Sequence, residues 1–162
     1  MTVEPSEFRS ALGLFASGVC VVTAVADAGA PVGVTISAFS SLSLEPPLIL
    51  FCLGNKTRNI DAFVNGSGRF AVNILAEDQV ALSERFASQA EDKFAGIACR
   101  RSEAGPPLLP GSLAQLECTR VATHVGGDHL IVVGRVERVH GTGEARPLLR
   151  FRGHYRRLDG RL

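Results

Sequence analysis

Residues 33–59, GVTISAFSSLSLEPPLILFCLGNKTRN, decide the fold that this sequence predicts. The segment begins with an alternation of apolar and hydroxylated residues over positions 34–37, which is typical of a half-buried strand. The prolines at 46–47 end this strand, because proline has no N–H group to donate to a ladder. The apolar run at 48–53 then predicts a second strand that is fully buried.

The end of this segment carries groups that could bind an anion. Lys56 and Thr57 follow the buried strand, and the apolar residues at helical spacing over 60–64 predict a helix that begins near Thr57. Hydroxyl groups, backbone amides, a lysine and a helix N-terminus could together cradle a phosphate dianion. A serine-rich strand edge with a capping threonine is the alternative that composition alone favours.

Composition predicts a single domain spanning residues 1–162. Of the 162 residues, 46% are hydrophobic, and the formal net charge is +1. That is enough apolar material for one packed core. The balanced charge favours neither a nucleic acid nor an anionic membrane surface as a partner. No segment has the length of a membrane span, and the N-terminus lacks the basic and apolar regions of a secretory signal.

The cysteine pattern predicts a reduced, cytoplasmic protein. Cys20, Cys52, Cys99 and Cys118 are far apart in the sequence and form no C-x-x-C pair. Neither a disulfide framework nor a zinc site is therefore expected.

The rest of the chain predicts many strands and few helices. Helices are expected at residues 6–17, from 57 to about 65, and over 77–86. Strands are expected at 19–26, 70–75, 113–123 and 130–140, with a basic strand or tail at 148–158. Residues 90–111 predict a surface excursion, and 124–129 predict a hairpin loop. Many strands with three short helices favour an antiparallel β-barrel decorated by helices.

The sequence lacks the motifs of several common enzyme classes. It contains no Rossmann fingerprint, Walker loop, G-x-S-x-G elbow or H-E-x-x-H motif. Nucleophilic and metal-assisted hydrolysis therefore have no visible machinery, and a nicotinamide cofactor would have to bind without a Rossmann domain.

TISAFSSLSLEPPL, at residues 35–48, resembles the signature of the short-chain flavin reductases, the NAD(P)H:flavin oxidoreductase components of two-component monooxygenases. Further similar segments follow that family's order: FASGVCVVTA, RFAVNIL, SERFA, DKFAG, PLL, LEC, GDHLIVVGRV and FRGHYRRL. The resemblance covers residues 8–158, the expected core of the domain. It implies a mainly β fold, the FMN-binding split barrel of Greek-key type, assembled as a homodimer.

The resemblance also implies a flavin site. Strand residues would meet the isoalloxazine ring chiefly through backbone atoms and two hydroxyl groups, and Ser41 would reach towards the ribityl phosphate. The neighbouring strand would line the ring, and the turn after it would hold the phosphate. The implied flavin-binding residues are Thr35, Ile36, Ser37, Ser41, Cys52, Leu53, Lys56, Thr57, Phe86 and Ala87.

Two further regions are implied to bind the nicotinamide cofactor. His129, in a G-D-H motif, would donate a hydrogen bond to the carboxamide or stabilise charge. Arg152 would receive the pyrophosphate, and Tyr155 would stack on adenine. The alternatives are an Asx-turn at Asp128 with a surface histidine, and a solvated basic tail.

The resemblance predicts an NAD(P)H-dependent flavin reductase that reduces flavin by hydride transfer and supplies the reduced flavin to a partner oxygenase. Hydride transfer between stacked cofactor rings needs few special side chains, because the protein mainly supplies position and electrostatics. NADH is expected, because no dedicated 2′-phosphate clamp is visible, with NADPH as the alternative. FMN is the expected flavin, with FAD as the alternative. A flavin-binding electron carrier on the same barrel and an interaction module without flavin are the competing hypotheses.

Overall fold

Strands dominate the architecture, as the sequence predicts. The computed structural model describes residues 3–27, 29–102, 105–141 and 144–160. The helices are α1 (Pro5–Leu12), α2 (Asp61–Val64) and α3 (Val80–Ala87). The strands are β1 (Ser17–Gly18), β2 (Cys20–Val25), β3 (Pro31–Ile36), β4 (Phe39–Ser43), β5 (Leu48–Gly54), β6 (Arg69–Ile74), β7 (Arg100–Arg101), β8 (Pro107–Leu108), β9 (Ala114–Gly126), β10 (His129–His140), β11 (Leu149–Phe151) and β12 (His154–Arg156).

The main sheet curls into a barrel. Its antiparallel order within the described ranges is β3-β2-β6-β9-β10-β5-β4. Strands β3 and β4 are at opposite ends of this order, yet only residues 37–38 separate them in the chain. The two ends must therefore meet in space, and the Cys52 N–H donates a 3.0 Å hydrogen bond to the Ala38 carbonyl where they do. The prediction of a mainly β barrel with few helices is confirmed.

Apolar side chains from alternate strand positions fill the barrel. The Phe51 and Phe70 rings meet edge to face with centroids 5.1 Å apart, and neither ring is exposed by more than 1%. A Cβ at Gly134 would overlap the Phe70 ring, so β10 can pass this ring only where a side chain is missing.

A second apolar layer covers the outer face of β2 and β6, and it corrects one prediction. Residues 90–111 were expected on the surface, but Leu109 at the end of this segment is fully buried. Asn73 Oδ1 accepts a 2.8 Å bond from the Leu109 N–H, and Thr23 Oγ1 donates a 2.6 Å bond to the Pro107 carbonyl. Buried polar groups require partners, and these two side chains obtain them from the segment that covers the sheet.

The β9–β10 hairpin is longer than predicted. The expected six-residue loop at 124–129 is wrong, because only Gly127 and Asp128 separate the two strands. His129 is the first residue of β10, where it pairs with Gly126 on one side and Gly54 on the other. The paired glycines at 126–127 suggested a loop, but a ladder can continue into solvent beyond the apolar barrel. The C-terminal tail likewise forms a hairpin, β11–β12.

Two helix predictions are also corrected. Helix α1 ends at Leu12 instead of residue 17, and its predicted apolar face remains exposed, with Phe8 at 58% and Phe15 at 79%. Helix α2 begins at Asp61 instead of near Thr57 and has four residues. The helical spacing over 60–64 correctly predicts the apolar side of this helical turn, but it does not predict the residue at which the helix begins.

Two buried features concern titratable groups. All four cysteines are free thiols, and burial raises the pKa of Cys20 and Cys118 to about 12. The buried Glu117 has a partner in His140, whose Nε2 lies 2.5 Å from the Glu117 Oε1. A buried carboxylate needs such a hydrogen-bond partner.

Candidate active site

The open edge of β3 presents backbone groups to a ligand. β3 lies at the end of the sheet order, and its Gly33 carbonyl accepts a 3.4 Å bond from Lys93 Nζ instead of one from a strand. In an antiparallel ladder, the N–H and C=O of alternate residues point to the same side. The backbone N–H and C=O of Thr35 therefore face the same open edge as Gly33.

The outer face of β3 is covered by α3. Thr35 Oγ1 donates a 2.7 Å hydrogen bond to the Ser83 carbonyl, and a Cβ at Gly33 would lie 2.5 Å from Phe86 Cε1. Phe86 is fully buried, so its ring packs on the strand backbone. Ile36 is 7% exposed and points into the barrel, which leaves its backbone as the part that can meet a ligand.

The neighbouring wall of the site is the outer face of β5. Burial alternates along this strand, so Cys52 and Gly54 face outward while Leu53, 1% exposed, points into the barrel. The bend at Ser37 and Ala38 lies beside Cys52, as the barrel-closing hydrogen bond shows. The structure thus brings the hydroxylated strand and Cys52 together, and it leaves Leu53 only its backbone for contact with a ligand.

A turn ends β5 at the predicted phosphate position. The Thr57 N–H donates a 2.9 Å bond to the Gly54 carbonyl, and Lys56 is exposed beside it. The predicted contribution of a helix N-terminus at Thr57 is wrong, because α2 starts four residues later and is a single turn. The groups that remain for an anion are the Lys56 ammonium, the Thr57 hydroxyl and the amides of the turn.

His129 stands over this turn. Its Nε2 is 3.7 Å from the position that a Cβ would take on Gly54, and Thr57 Oγ1 is 4.0 Å from the same position. His129 Nδ1 lies 2.7 Å from Asp128 Oδ1, and this contact lowers the pKa of the Asp128 carboxyl. An ionised carboxylate only accepts hydrogen bonds, so the His129 Nδ1 carries the proton of this contact. The other ring nitrogen, Nε2, faces the turn.

The C-terminal hairpin reaches the site through Ser83. The Ser83 Oγ lies 2.9 Å from the Tyr155 hydroxyl, and the Ser83 carbonyl accepts the hydrogen bond from Thr35 Oγ1. The Arg150 guanidinium lies 5.6 Å from the centre of the Tyr155 ring and covers one of its faces. Arg152 is exposed, and its backbone N–H donates to the Gly13 carbonyl at the end of α1.

The structure therefore brings most of the predicted residues to one face of the barrel. Thr35, Ser37 and Cys52 line one part, and Thr57 and His129 line the adjoining part. The remaining predicted residues lie as follows: Ser41 is exposed on β4, Ala87 is exposed at the end of α3, and Arg152 contacts α1.

Sequence reasoning missed Ser83 and Lys93. Ser83 links β3 to the C-terminal hairpin, and Lys93 Nζ donates to the Phe86 carbonyl at 2.8 Å and to the edge of β3. Both residues lie in segments that supported the family resemblance, but nothing in their spacing indicated which strand they touch. Burial and the charge of Arg58 lower the pKa of Lys93.

Two further kinds of functional feature, a metal-binding cluster and a membrane-spanning helix, are not found in the described ranges. They hold no cluster of three or more His, Cys, Asp or Glu side chains suited to a metal ion. None of their helices combines the length and apolar character that crossing a bilayer requires.

Comparison with known proteins identifies the family. Residues 12–159 match the model of the flavin reductase like domain, and the chain belongs to this family. It is 46% identical over 159 residues to the reductase subunit HsaB of a flavin-dependent monooxygenase from Mycobacterium tuberculosis, covering 97% of this chain and 84% of that protein. The predicted resemblance is confirmed.

Solved structures give the same result for the fold. A homologue of nitrilotriacetate monooxygenase component B from Mycobacterium thermoresistibile superposes with a TM-score of 0.90 at 46% identity, over 95% of this chain and 86% of that one. The NADH:FAD oxidoreductase SgcE6 from Streptomyces globisporus, solved with NAD and FAD fragments, gives 0.89 at 32% identity, over 98% and 97%. The prediction of a flavin reductase is confirmed.

Proposed function

We propose that this flavin reductase uses NADH to reduce FMN and delivers the reduced flavin to the oxygenase component of a two-component monooxygenase. The observation that carries the proposal is one continuous surface on the barrel. It joins the open backbone edge at Thr35, the outward face of Cys52, and the turn where Lys56 and Thr57 lie below His129.

This surface fits a flavin. An isoalloxazine ring needs backbone donors and acceptors along one edge, and β3 supplies them at Thr35. The ring also needs a wall without large side chains, and Gly54 with Cys52 supplies one. Bound flavin would provide the hydride acceptor, at N5.

The chain's own residues bind and orient. Lys56 and Thr57 hold the phosphate by charge and hydrogen bonds, without help from a helix dipole. His129, fixed by Asp128, directs Nε2 towards the space above Gly54 and orients the nicotinamide carboxamide. Nε2 accepts a hydrogen bond when the imidazole is neutral and donates one only as the imidazolium.

The C-terminal hairpin completes the nicotinamide site. Arg152 meets the pyrophosphate, and Tyr155 stacks on adenine. NADH is preferred over NADPH because the sequence has no dedicated 2′-phosphate clamp. FMN reductase (NADH) SmoA of Agrobacterium fabrum, 41% identical over 138 residues, supports this choice of both cofactors.

The active form is a homodimer in the cytoplasm. Phe8 and Leu12 are one helical turn apart on α1, and both are more than half exposed, as are Leu14 and Phe15 just after it. Monomeric proteins rarely leave such an apolar patch to solvent, which supports a second copy of the chain as its cover. Sedimentation equilibrium of the wild type and of Phe15→Ser tests this association.

Anaerobic stopped-flow absorbance tests the proposed reaction. The protein with FMN or FAD is mixed with NADH or NADPH, and the flavin band is followed. Loss of that band with NADH and FMN, faster than without protein, is the expected result. Flavin that binds but is not reduced would identify an electron carrier, and failure to bind either flavin would leave an interaction module.

A further inference from the structure

Ser83 is a fully buried polar residue in the middle of α3. Its side chain has no exposed surface. A buried hydroxyl group is costly unless it is hydrogen-bonded, and a serine inside a helix commonly bonds a carbonyl of the preceding turn. The Ser83 Oγ instead lies 2.9 Å from the hydroxyl of Tyr155, which is 72 residues further along the chain. This contact therefore serves the tertiary arrangement and not the helix.

Ser83 bonds two elements that belong to different sheets. Its carbonyl accepts the 2.7 Å hydrogen bond from Thr35 Oγ1, on β3 of the main sheet. Its hydroxyl meets Tyr155 on β12, in a separate three-stranded sheet of order β1-β11-β12. One residue of α3 thus holds the strand that meets the flavin and the C-terminal hairpin in a fixed relation.

Tyr155 lies on a strand that by itself does little to orient the ring. Strand β12 has three residues and is at the end of its sheet, where it pairs with β11. The Tyr155 ring packs against the second apolar layer, and the Arg150 guanidinium lies 5.6 Å from its centre. Apolar packing and a cation over the ring restrain its tilt, and the bond to Ser83 fixes the position of its hydroxyl end.

The helix that carries Ser83 is itself held against β3. The Ser83 N–H donates a 3.0 Å hydrogen bond to the Gln79 carbonyl. One turn later, the fully buried Phe86 packs so closely on β3 that a Cβ at Gly33 would lie 2.5 Å from its Cε1. Close packing leaves α3 no room to shift along the strand. Ser83 is therefore a fixed point from which a side chain on the hairpin can be oriented.

We propose that Ser83 is a positioning residue for hydride transfer, whose hydroxyl fixes Tyr155, and with it the hairpin that meets NADH, relative to the strand that meets the flavin. This inference rests on the proposed function, because that function assigns Thr35 and Tyr155 to the two cofactors. Ser83 acts through these two residues and does not itself touch a cofactor.

Steady-state kinetics and flavin titration of Ser83→Ala test the role. The KM for NADH should rise about fivefold, the value of one neutral hydrogen bond, while the Kd for FMN changes less than about twofold. The flavin strand is spared because Thr35 bonds the Ser83 backbone, which the substitution leaves in place. Thr35→Val breaks the bond at the other end, and it should raise the Kd for FMN more than the KM for NADH.

A double-mutant cycle shows whether the effect passes through Tyr155. Tyr155→Phe keeps the ring and removes the hydroxyl, so it should raise the KM for NADH as much as Ser83→Ala does. The double variant should be no worse than either single variant, because both remove the same bond. Thr23→Val, which removes a buried hydroxyl bonded to the Pro107 carbonyl, is the control for a purely structural loss. It should lower the Tm and leave the KM for NADH unchanged.

Tyrosine fluorescence reports on the same bond without any cofactor. Tyr155 is the single tyrosine of the sequence, which contains no tryptophan. Time-resolved anisotropy of the flavin-free protein therefore follows this ring alone. Ser83→Ala should add a fast component to the decay, since a released side chain reorients within nanoseconds, and Thr23→Val should not.

Failure of the positioning role and failure of the proposed function give different results. If the wild type reduces FMN with NADH but Ser83→Ala has a wild-type KM, the positioning role is overturned and the function stands. If the wild type does not oxidise NADH, the proposed reaction fails, and titration calorimetry of NAD⁺ with the FMN-loaded protein decides the role of Ser83. A Kd for NAD⁺ about fivefold higher in Ser83→Ala supports the role, and an unchanged Kd or absence of binding overturns it.

Discussion

Thr35 Oγ1 donates a 2.7 Å hydrogen bond to the backbone carbonyl of Ser83, which fixes the open edge strand to α3. The same hydroxyl cannot use its single proton on a flavin. Thr35 therefore contributes its backbone to the site, while its side chain holds that backbone in place.

Replacing Thr35 with valine tests this role. Thr35→Val keeps the shape but removes the bond to Ser83, so the free energy of unfolding should fall by about 1 kcal/mol. FMN affinity should fall as well, because the strand edge is less well fixed. Urea unfolding and flavin fluorescence measure the two effects. Thr123→Val, on an exposed position of β9, is the control, and equal stabilities of the two variants would contradict the assignment.

Packing at Gly134 should be intolerant of a single methyl group. Gly134→Ala places a Cβ into the Phe70 ring, and overpacking of this kind costs about 1–3 kcal/mol. Thermal unfolding should show a lower Tm. Gly18→Ala is the matched control, because no atom lies within 4 Å of its Cβ position. A Gly134→Ala protein as stable as Gly18→Ala would show that the ring moves aside without cost.

Lys56 should discriminate between flavins with and without a phosphate. Lys56→Ala is expected to raise the Kd for FMN about tenfold, since it removes a charge-assisted contact, and to leave riboflavin nearly unaffected. Fluorescence titration with both flavins measures the difference. The same loss for riboflavin as for FMN would place the phosphate elsewhere.

His129 should act on the nicotinamide and not on flavin binding. His129→Ala is expected to raise the KM for NADH and slow flavin reduction while the Kd for FMN changes less than twofold. His124→Ala, on the neighbouring strand β9, is the control. Wild-type values of both NADH parameters in His129→Ala would exclude the nicotinamide role.

Asp128 should influence the same step through the histidine. Its pKa is lowered by the contact with His129, so the carboxylate stays ionised until the pH falls below the ordinary range of an aspartate. The contact is therefore present at neutral pH and lost only in acid. Asp128→Asn removes the carboxylate that accepts the hydrogen bond from Nδ1, so the imidazole loses its fixed orientation and the KM for NADH should rise at neutral pH. A wild-type KM in this variant would show that the carboxylate does not act through the imidazole.

The barrel could be predicted because its strands are apolar and its turns are rich in proline and glycine. Alternation along residues 34–37 and the run at 48–53 depend on burial alone, and the structure has strands at both. Helix starts were less predictable. A threonine at position 57 can begin a helix or close a turn. In the structure it closes a turn, within which the Asn55 N–H donates a hydrogen bond to the distant Asp128 carbonyl.

The site could be predicted only in part for a similar reason. Residues close in sequence, such as Lys56 and Thr57, were found together because one turn carries them. Ser83 and Lys93 act by touching a strand about 50 to 60 residues away, and no local pattern encodes that contact. The direction of each side chain of β5 could not be predicted without the position of the strand in the barrel. In the structure, Leu53 points into the barrel and Cys52 points outward.

The buried thiols of Cys20 and Cys118 have a consequence for the lifetime of the protein. Reduced flavin that meets dioxygen generates hydrogen peroxide, which attacks thiolates far faster than thiols. With a pKa of about 12, both core cysteines remain protonated at neutral pH and away from solvent. The barrel can therefore release a peroxide-forming product repeatedly without oxidising its own interior.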